Sequence, residues 1–548
     1  MTGLVDRRIG LLFPLFLVLL GLACSRAAWL GTVQAGELKE RAVGQQLEEL
    51  EVTARRGTIT DRKGLELAVS EDAVTVFANP FLIDDPAGVA TKLAPLVKLD
   101  REELLDTLSD RETGFVYLRR KLDPDRGEKV EDLGIEGIGT VVEPRRTYPQ
   151  GELAGQLVGS VGTDNYGLSG VEQQFERRLR GTNGDRQLVK DATGNTVSIV
   201  ETDRAEAGED IRLTIDAALQ ERVEAVLDGV GTDYQPEGAT AVVMDPRNGE
   251  LLALANWPRV DANNPGEAPA EARQNRAVAS SFEPGSTFKA FTVAGALEDK
   301  LIRPDSTLEV PSEIEVADRT IGEAHEGGAG TLTVADILAR SSNVGSVMIG
   351  LDLGVERFDK WVRRFGFGEP TGVSLPGEAG GIVPRPEDYS GSSLGNLPIG
   401  QGLAVTPMQM VAAYSSLANG GVMHQPHVVA GERDDGRRVV SEKTAGQVSK
   451  MLEGVLGAGG TGQEASVPGY RLAGKTGTAE KPDPETGGYS EFKFFSSFLG
   501  YAPAQDPRLM IAVMVDEPKG GYYGAEVAAP AFEKIVEFAL PYMRIPPD

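Results

Sequence analysis

The sequence predicts an α+β fold, an antiparallel sheet of about five strands flanked by helices, preceded by one N-terminal transmembrane helix. Three observations predict it. Strand-like runs fall in two blocks, near residue 240 and after residue 470, and most are joined by hairpin turns. Helical runs with one apolar face lie between the blocks and at the C-terminal end. An uncharged stretch of about sixteen residues sits close to the start of the 548-residue chain.

At the N-terminus, Arg7 and Arg8 precede the uncharged run 9–24, which is followed by Ser25-Arg26 and residues 27–30. Continuing to Val33 gives enough length to span a bilayer, with Arg26 snorkelling and Trp29 at the interface. Residues 1–8 then form a cytoplasmic tail, 9–33 an uncleaved signal anchor, and the rest faces outward. A lipidated Cys24 is the rival reading, and Gly21 and Leu22 fit it poorly. Residues 37–50 suit a charged helix leading out of the membrane. Residues 54–64 suit a strand, a turn at Lys63-Gly64 and a second strand. A glycine-rich stretch runs from Tyr148-Pro149 through Gly159, Gly162 and Gly167 to Gly170-Val171-Glu172. Neither stretch assembles catalytic residue types, so both are assigned to scaffold. Residues 201–210 are acidic and aperiodic, which places a domain boundary there and divides the outer chain into 34–208 and 209–548.

Beyond that boundary the pattern sharpens. Asp216 suits the cap of a helix whose apolar face carries Leu219, Val223, Val226 and Leu227. Residues 239–244 and 251–255 form a hairpin around Asn248-Gly249. Residues 493–502 and 509–515 are strand-like and joined by a turn at 505–507. Residues 530–540 suit a helix with proline at its first position.

Ser286, three residues before Lys289 and directly after Glu283-Pro284-Gly285, is the candidate nucleophile. A serine attacks only when a base takes its proton, and at this spacing on a helix the two side chains share a face. Pro284-Gly285 suits a helix start, which frees the Ser286 N–H to face whatever the hydroxyl attacks. Ser341-Ser342-Asn343 follows about 55 residues later, and Lys475-Thr476-Gly477-Thr478 about 130 residues after that. The three elements, in this order, match the serine acyl-transfer signature of penicillin-binding proteins and β-lactamases. The middle element differs from the Ser-Asp-Asn of class A β-lactamases. The Glu-x-x-Leu-Asn run that would carry their deacylating glutamate is missing, as is the Ser-x-Val of class D enzymes. This pattern fits an enzyme that forms an acyl-serine ester and passes it on to an acceptor other than water.

A phosphate-binding alternative has to be weighed, because residues 469–476 match G-x-x-x-x-G-K-[ST] and the apolar run 511–515 ends in Asp516-Glu517. A phosphate loop follows a buried strand and opens a helix. Here polar, turn-like residues precede it, and Gly477 and Pro482 follow it. The net charge of -27 repels phosphate backbones and argues against nucleic-acid binding. Cys24 is the single cysteine, so no intrachain disulfide and no cysteine-rich metal site exists. The three histidines are His325, His424 and His427. The last two flank Gln425-Pro426 and are assigned to a loop, so no metal or other cofactor is expected.

Along nearly its whole length the chain resembles a class B penicillin-binding protein, a monofunctional D,D-transpeptidase of bacterial wall synthesis. The stretches from Arg56-Gly57 to Gly64 and from Gly167 to Glu172 resemble its elongated pedestal, or dimerisation, domain (34–208). The three motifs resemble those of its transpeptidase domain (209–548), and Gly400-Gln401-Gly402 and Thr406-Pro407 also fit. The resemblance implies that Ser286 attacks the penultimate D-Ala carbonyl of a stem peptide, with Lys289 as general base. It implies that Ser341 and Lys475 relay the proton, and that Asn343 holds the substrate amide and orders Lys289. The N–H groups of Ser286 and Thr478 would form the oxyanion hole. Lys475, Thr476, Gly477 and Thr478 would hold the substrate carboxylate or a β-lactam. Ser341-Ser342-Asn343-Val344-Gly345 resembles the division-type (FtsI-like) branch, which implies a membrane glycosyltransferase of the FtsW kind and other divisome proteins as partners. A membrane-anchored β-lactam sensor and a β-lactamase are the alternatives.

Overall fold

The computed structural model describes residues 2–34, 47–190, 196–324, 328–483 and 488–547. Helix α1 (Thr2–Thr32) contains the apolar span Leu12–Thr32, which is long and apolar enough to cross a membrane. By internal contacts the chain divides into two units. One comprises Met1–Arg55, Asp72–Pro144 and Arg180–Gly208; the other comprises Arg56–Glu71, Arg145–Leu179 and Glu209–Asp548. Two stretches within 34–208 thus pack with the unit that carries the three motifs. Of the charged run 37–50, residues 37–46 lie outside the described residues. Residues 47–50 belong to a strand, Leu47–Val52, and not to the expected helix. That strand pairs with Gly184–Lys190, which pairs in turn with Thr196–Asp203, so the ladder hydrogen bonds override the helical composition.

The motif-bearing unit is built on five antiparallel strands: β1 (Gly238–Met244), β2 (Leu251–Trp257), β3 (Ala473–Asp483), β4 (Gly488–Ala502) and β5 (Leu509–Asp516). Their order is β2-β1-β5-β4-β3, which leaves β3 at an edge. Antiparallel sheets often show one face to water, and this one does not. On β5, Ile511, Val513 and Val515 enter one core while Met510, Ala512 and Met514 enter the other. The first core is closed by α2 (Ala217–Tyr234) and the C-terminal helix Ala529–Tyr542. The second takes in α3 (Lys289–Glu298), α4 (Val334–Ala339), α5 (Asn343–Arg364) and α6 (Pro407–Ala418). Double-sided burial explains why the strand runs are continuously apolar. Asp216 caps α2 through the Leu219 N–H as expected, whereas Pro530 stands at the second helical position and not the first.

The early scaffold motifs meet within the same unit. Glu172, fully buried, takes Arg56 at 2.8 Å and Arg146 at 2.5 Å, and Arg56 also pairs with Glu176 at 2.7 Å. Arg146 donates to the Gly57 carbonyl at 2.8 Å. Removing one member of such a buried set costs about 3–5 kcal/mol, because a charge is left without its partner.

Residues 469–476 form a turn entering β3, and Lys475 to Thr478 lie in the strand with no helix after them. Helix N-terminal amides are the phosphate-binding element of a P-loop, and they are missing here. Addition of ATP with Mg²⁺ is therefore expected to leave the melting temperature of the protein unchanged. Saturable stabilisation that disappears in Lys475→Ala would contradict this.

Candidate active site

Ser286 lies on a 3₁₀ turn, Gly285–Phe288, that runs straight into α3, so Lys289 is the first residue of the α-helix proper. The turn is pinned by Thr287, whose hydroxyl donates to the Pro284 carbonyl at 2.7 Å. Tyr414 on α6 donates to the Thr287 carbonyl at 2.6 Å. It rests against the edge strand β3 at Gly477. A Cβ at that position would stand 2.8 Å from Thr287 Cγ2 and 2.4 Å from Ser497 Oγ, so only glycine lets the turn approach.

Lys289 is completely buried. Its amine donates to the Ser341 carbonyl at 2.6 Å, to Asn343 Oδ1 at 2.7 Å and to Ser341 Oγ at 3.2 Å. The shared helix face suggests an amine on the Ser286 hydroxyl. In the structure the amine is turned to Ser341 and Asn343 instead, and among the described residues the Ser286 hydroxyl has no hydrogen-bond partner. Burial lowers the Lys289 pKa to about 7, against the opposing pull of Glu323. Lys475 is also completely buried, bonded to the Thr476 carbonyl at 3.1 Å and Thr476 Oγ1 at 3.4 Å. Burial, then the charge of Lys289, holds its pKa well below the ordinary value. Of the two amines, Lys289 has the more acceptors, together with the nearby carboxylate that favours its charged form.

Ser341 owes its place to the end of α4. Its N–H bonds the Leu338 carbonyl at 3.3 Å and the Ser342 N–H bonds the Ile337 carbonyl at 2.9 Å, the Schellman pattern that closes a helix. Ser341 has φ 61°, the left-handed position that glycine usually fills. For a residue with a Cβ this costs about 1–2 kcal/mol. Ser342 then caps α5 by accepting from the Gly345 N–H at 2.9 Å, which sets Asn343 at the first turn.

Ser286, Ser341, Asn343, Thr476 and Thr478 line one cleft of about 370 Å³. Lys289 joins it through Ser341 and Asn343, while Lys475 and Gly477 belong to the strand that forms its wall. All the residues expected from the sequence are thus brought together. Three that sequence reasoning missed also take part. Thr461 shares a 2.8 Å hydrogen bond with Thr476 Oγ1, and Gly524 donates its N–H to Thr478 Oγ1 at 3.0 Å. Glu323 accepts from Ser342 Oγ at 2.6 Å, Asn343 N at 2.9 Å and Val344 N at 3.1 Å. No motif marks them, since each acts through a contact between distant segments. Neither His424 nor His427 is near these groups, and among the described residues no His/Cys/Asp/Glu cluster suits a metal.

Residues 239–537 match the penicillin binding protein transpeptidase domain, and residues 51–213 match the penicillin-binding protein dimerisation domain. The chain belongs to the penicillin-binding proteins. It is 33% identical to peptidoglycan D,D-transpeptidase FtsI of Escherichia coli, over 100% of this chain and 94% of that protein. It is equally similar, at 33% identity over 95% of this chain and 84% of the relative, to stage V sporulation protein D of Bacillus subtilis. Among solved structures, penicillin-binding protein 3 of Mycobacterium tuberculosis in complex with aztreonam superposes with a TM-score of 0.72. That match has 30% identity and covers 91% of this chain and 98% of the other. The family's two domains and the five-stranded antiparallel sheet are therefore those of this penicillin-binding protein.

The strained serine gives a test. Ser341→Gly is expected to raise stability by up to about 1 kcal/mol, by relieving the left-handed backbone. It is also expected to slow acylation by penicillin by about 10²-fold, through loss of the hydroxyl. Thermal melts and acylation rates of the two proteins check both effects, and unchanged acylation would remove Ser341 from the reaction.

Proposed function

We propose that this chain is a membrane-anchored peptidoglycan D,D-transpeptidase that cross-links stem peptides through an acyl ester on Ser286. The observation that carries the reading is the buried Lys289 amine, its pKa lowered by burial to about 7, held by Ser341 and Asn343, which line one cleft with Ser286. A base poised near the working pH is what activation of a serine requires, and it contributes about 10²–10⁴-fold.

In this reading neutral Lys289 takes the Ser286 proton as Oγ attacks the penultimate D-Ala carbonyl. The N–H groups of Ser286 and Thr478 receive the developing oxyanion, where each such donor is worth about 3–4 kcal/mol. The C–N bond then breaks, and the proton passes through Ser341 and neutral Lys475 to the departing D-Ala amine. An amine of a neighbouring stem attacks the ester, returns Ser286 to its hydroxyl form and closes the cross-link. Thr476 and Thr478, with Lys475, hold the terminal carboxylate. Asn343 holds the substrate amide. β-Lactams enter by the same attack and stay on Ser286.

Residues 1–8 lie in the cytoplasm, 9–33 form the single-pass anchor in the cytoplasmic membrane, and the pedestal (34–208) and transpeptidase domain (209–548) lie outside it. The full-length similarity to a protein named FtsI, together with Ser341-Ser342-Asn343-Val344-Gly345, supports work at the division septum beside a glycosyltransferase of the FtsW kind.

Two measurements on the detergent-solubilised full chain test this. Mass spectrometry after penicillin treatment is expected to place one adduct on the peptide holding Ser286 and none in Ser286→Ala. Excess chromogenic cephalosporin is expected to give a burst of about one equivalent and then almost no turnover. Steady hydrolysis at roughly 1–10³ per second would instead make the chain a β-lactamase. An adduct without cross-linking of stem peptides by active wild-type protein would make it a sensor.

A further inference from the structure

Glu323 stands just after a small hairpin, Glu313–Val316 paired with Arg319–Gly322. Val316 and Ile321 of that hairpin pack with Val347 of α5 and with Ile399, which fixes the hairpin to the helix. Its last residue supplies the Gly322 carbonyl, which accepts from Asn343 Nδ2 at 3.2 Å. With the amide nitrogen held there, Asn343 Oδ1 is turned towards Lys289, which it meets at 2.7 Å. The next residue, Glu323, lays its carboxylate across the first turn of α5. Oε1 takes Ser342 Oγ and the Val344 N–H, and Oε2 takes the Asn343 N–H. The chain then returns over the carboxylate at Gly328, where a Cβ would stand 2.4 Å from Oε2.

A helix N-terminus carries about half a positive charge, and here its first residue, Asn343, is hydrogen-bonded to an amine that must become an ammonium. Glu323 offsets that field. We propose that Glu323 is a positioning residue of the acylation step: it holds Asn343 in register and stabilises the ammonium formed on Lys289 when Ser286 gives up its proton. This rests on the reading of Lys289 as the base. The charged group that acts on the Lys289 amine is Glu323, which favours its ammonium form; Lys475, from β3, is itself held low by the charge of Lys289. Glu323 raises the proton affinity of Lys289, while burial lowers it to about 7.

The sign of the test follows. Lys289 has to be neutral before attack, so acylation rises with pH through about 7. Glu323→Gln removes a negative charge, makes Lys289 easier to deprotonate and moves that rise to lower pH by about one unit. The weaker base also lowers the high-pH plateau, by about tenfold. Glu323→Asp keeps the charge, so its rise stays at the wild-type pH even where its rate falls. A residue that only supported the fold would lower the rate and leave the midpoint in place.

The experiment is the second-order rate of acylation by a chromogenic cephalosporin, from about pH 5 to 9, with the full chain in detergent. Wild type, Glu323→Gln, Glu323→Asp and Ser286→Ala are compared. A lowered midpoint in Glu323→Gln alone supports the proposal. A wild-type midpoint in both Glu323 variants, or an equal displacement in both, overturns it. Acylation of Ser286→Ala, or a wild-type rate that does not rise through about pH 7, instead overturns the assignment of Ser286 and Lys289. Should Glu323→Gln fail to fold, Gly328→Ala, which pushes the carboxylate aside, is measured in its place. A lowered midpoint there supports the proposal and an unmoved one overturns it.

Discussion

The catalytic unit is organised around a lysine amine that has been taken completely out of water. Lowering the Lys289 pKa from 10.5 to about 7 disfavours the ammonium by about 5 kcal/mol. That penalty is useful only if the amine still has acceptors for the moment when it carries a proton. The structure supplies three, from Ser341 and Asn343, together with the carboxylate of Glu323 behind the first turn of α5. Each comes from a different constraint. A left-handed helix end turns the Ser341 carbonyl inward, a capped helix start sets Asn343, and a small hairpin orients its amide. The sheet beneath is packed on both faces, which keeps Lys475 and the wall it belongs to equally dry.

Backbone strain and close approach both occur at the site. Ser341 occupies a backbone position suited to glycine, and glycine occupies position 477, where a side chain would push the nucleophile's turn away. Exchanging these residue types would suit the backbone at 341 and disrupt the site at both places. The rest of the unit tolerates this because a core closes each face of the sheet and helix starts are capped at Asp216, Thr333 and Thr406.

Much of this was legible in the sequence. The hairpin at Asn248-Gly249, the capped helix after Asp216 and the strand-like runs 493–502 and 509–515 follow from turn chemistry and apolar runs, which are local signals. The Ser286, Ser341 and Lys475 motifs carry their spacing with them, so their meeting in one cleft could be expected. What could not be read has a common cause. Leu47–Val52 is a strand because of partners more than a hundred residues away, not because of its charged composition. Glu323, through three hydrogen bonds, and Thr461, through one, act on motifs elsewhere in the chain, and nothing in their own neighbourhoods sets them apart. The contact of Lys289 with Asn343 was expected from the resemblance, whereas its capture by the Ser341 carbonyl and hydroxyl was not, since helical spacing alone brings the amine near Ser286.

The most direct test of this account is a titration of the lysine side chains by NMR, with the full chain labelled at the lysine ε-carbon. One resonance, missing in Lys289→Arg, is expected to titrate near pH 7 in the free protein, far below the ordinary lysine range of about 10.4. If that resonance instead titrated with the exposed lysines near pH 10, Lys289 would be an ordinary ammonium at working pH, and the arrangement described for Ser286 would lack its base.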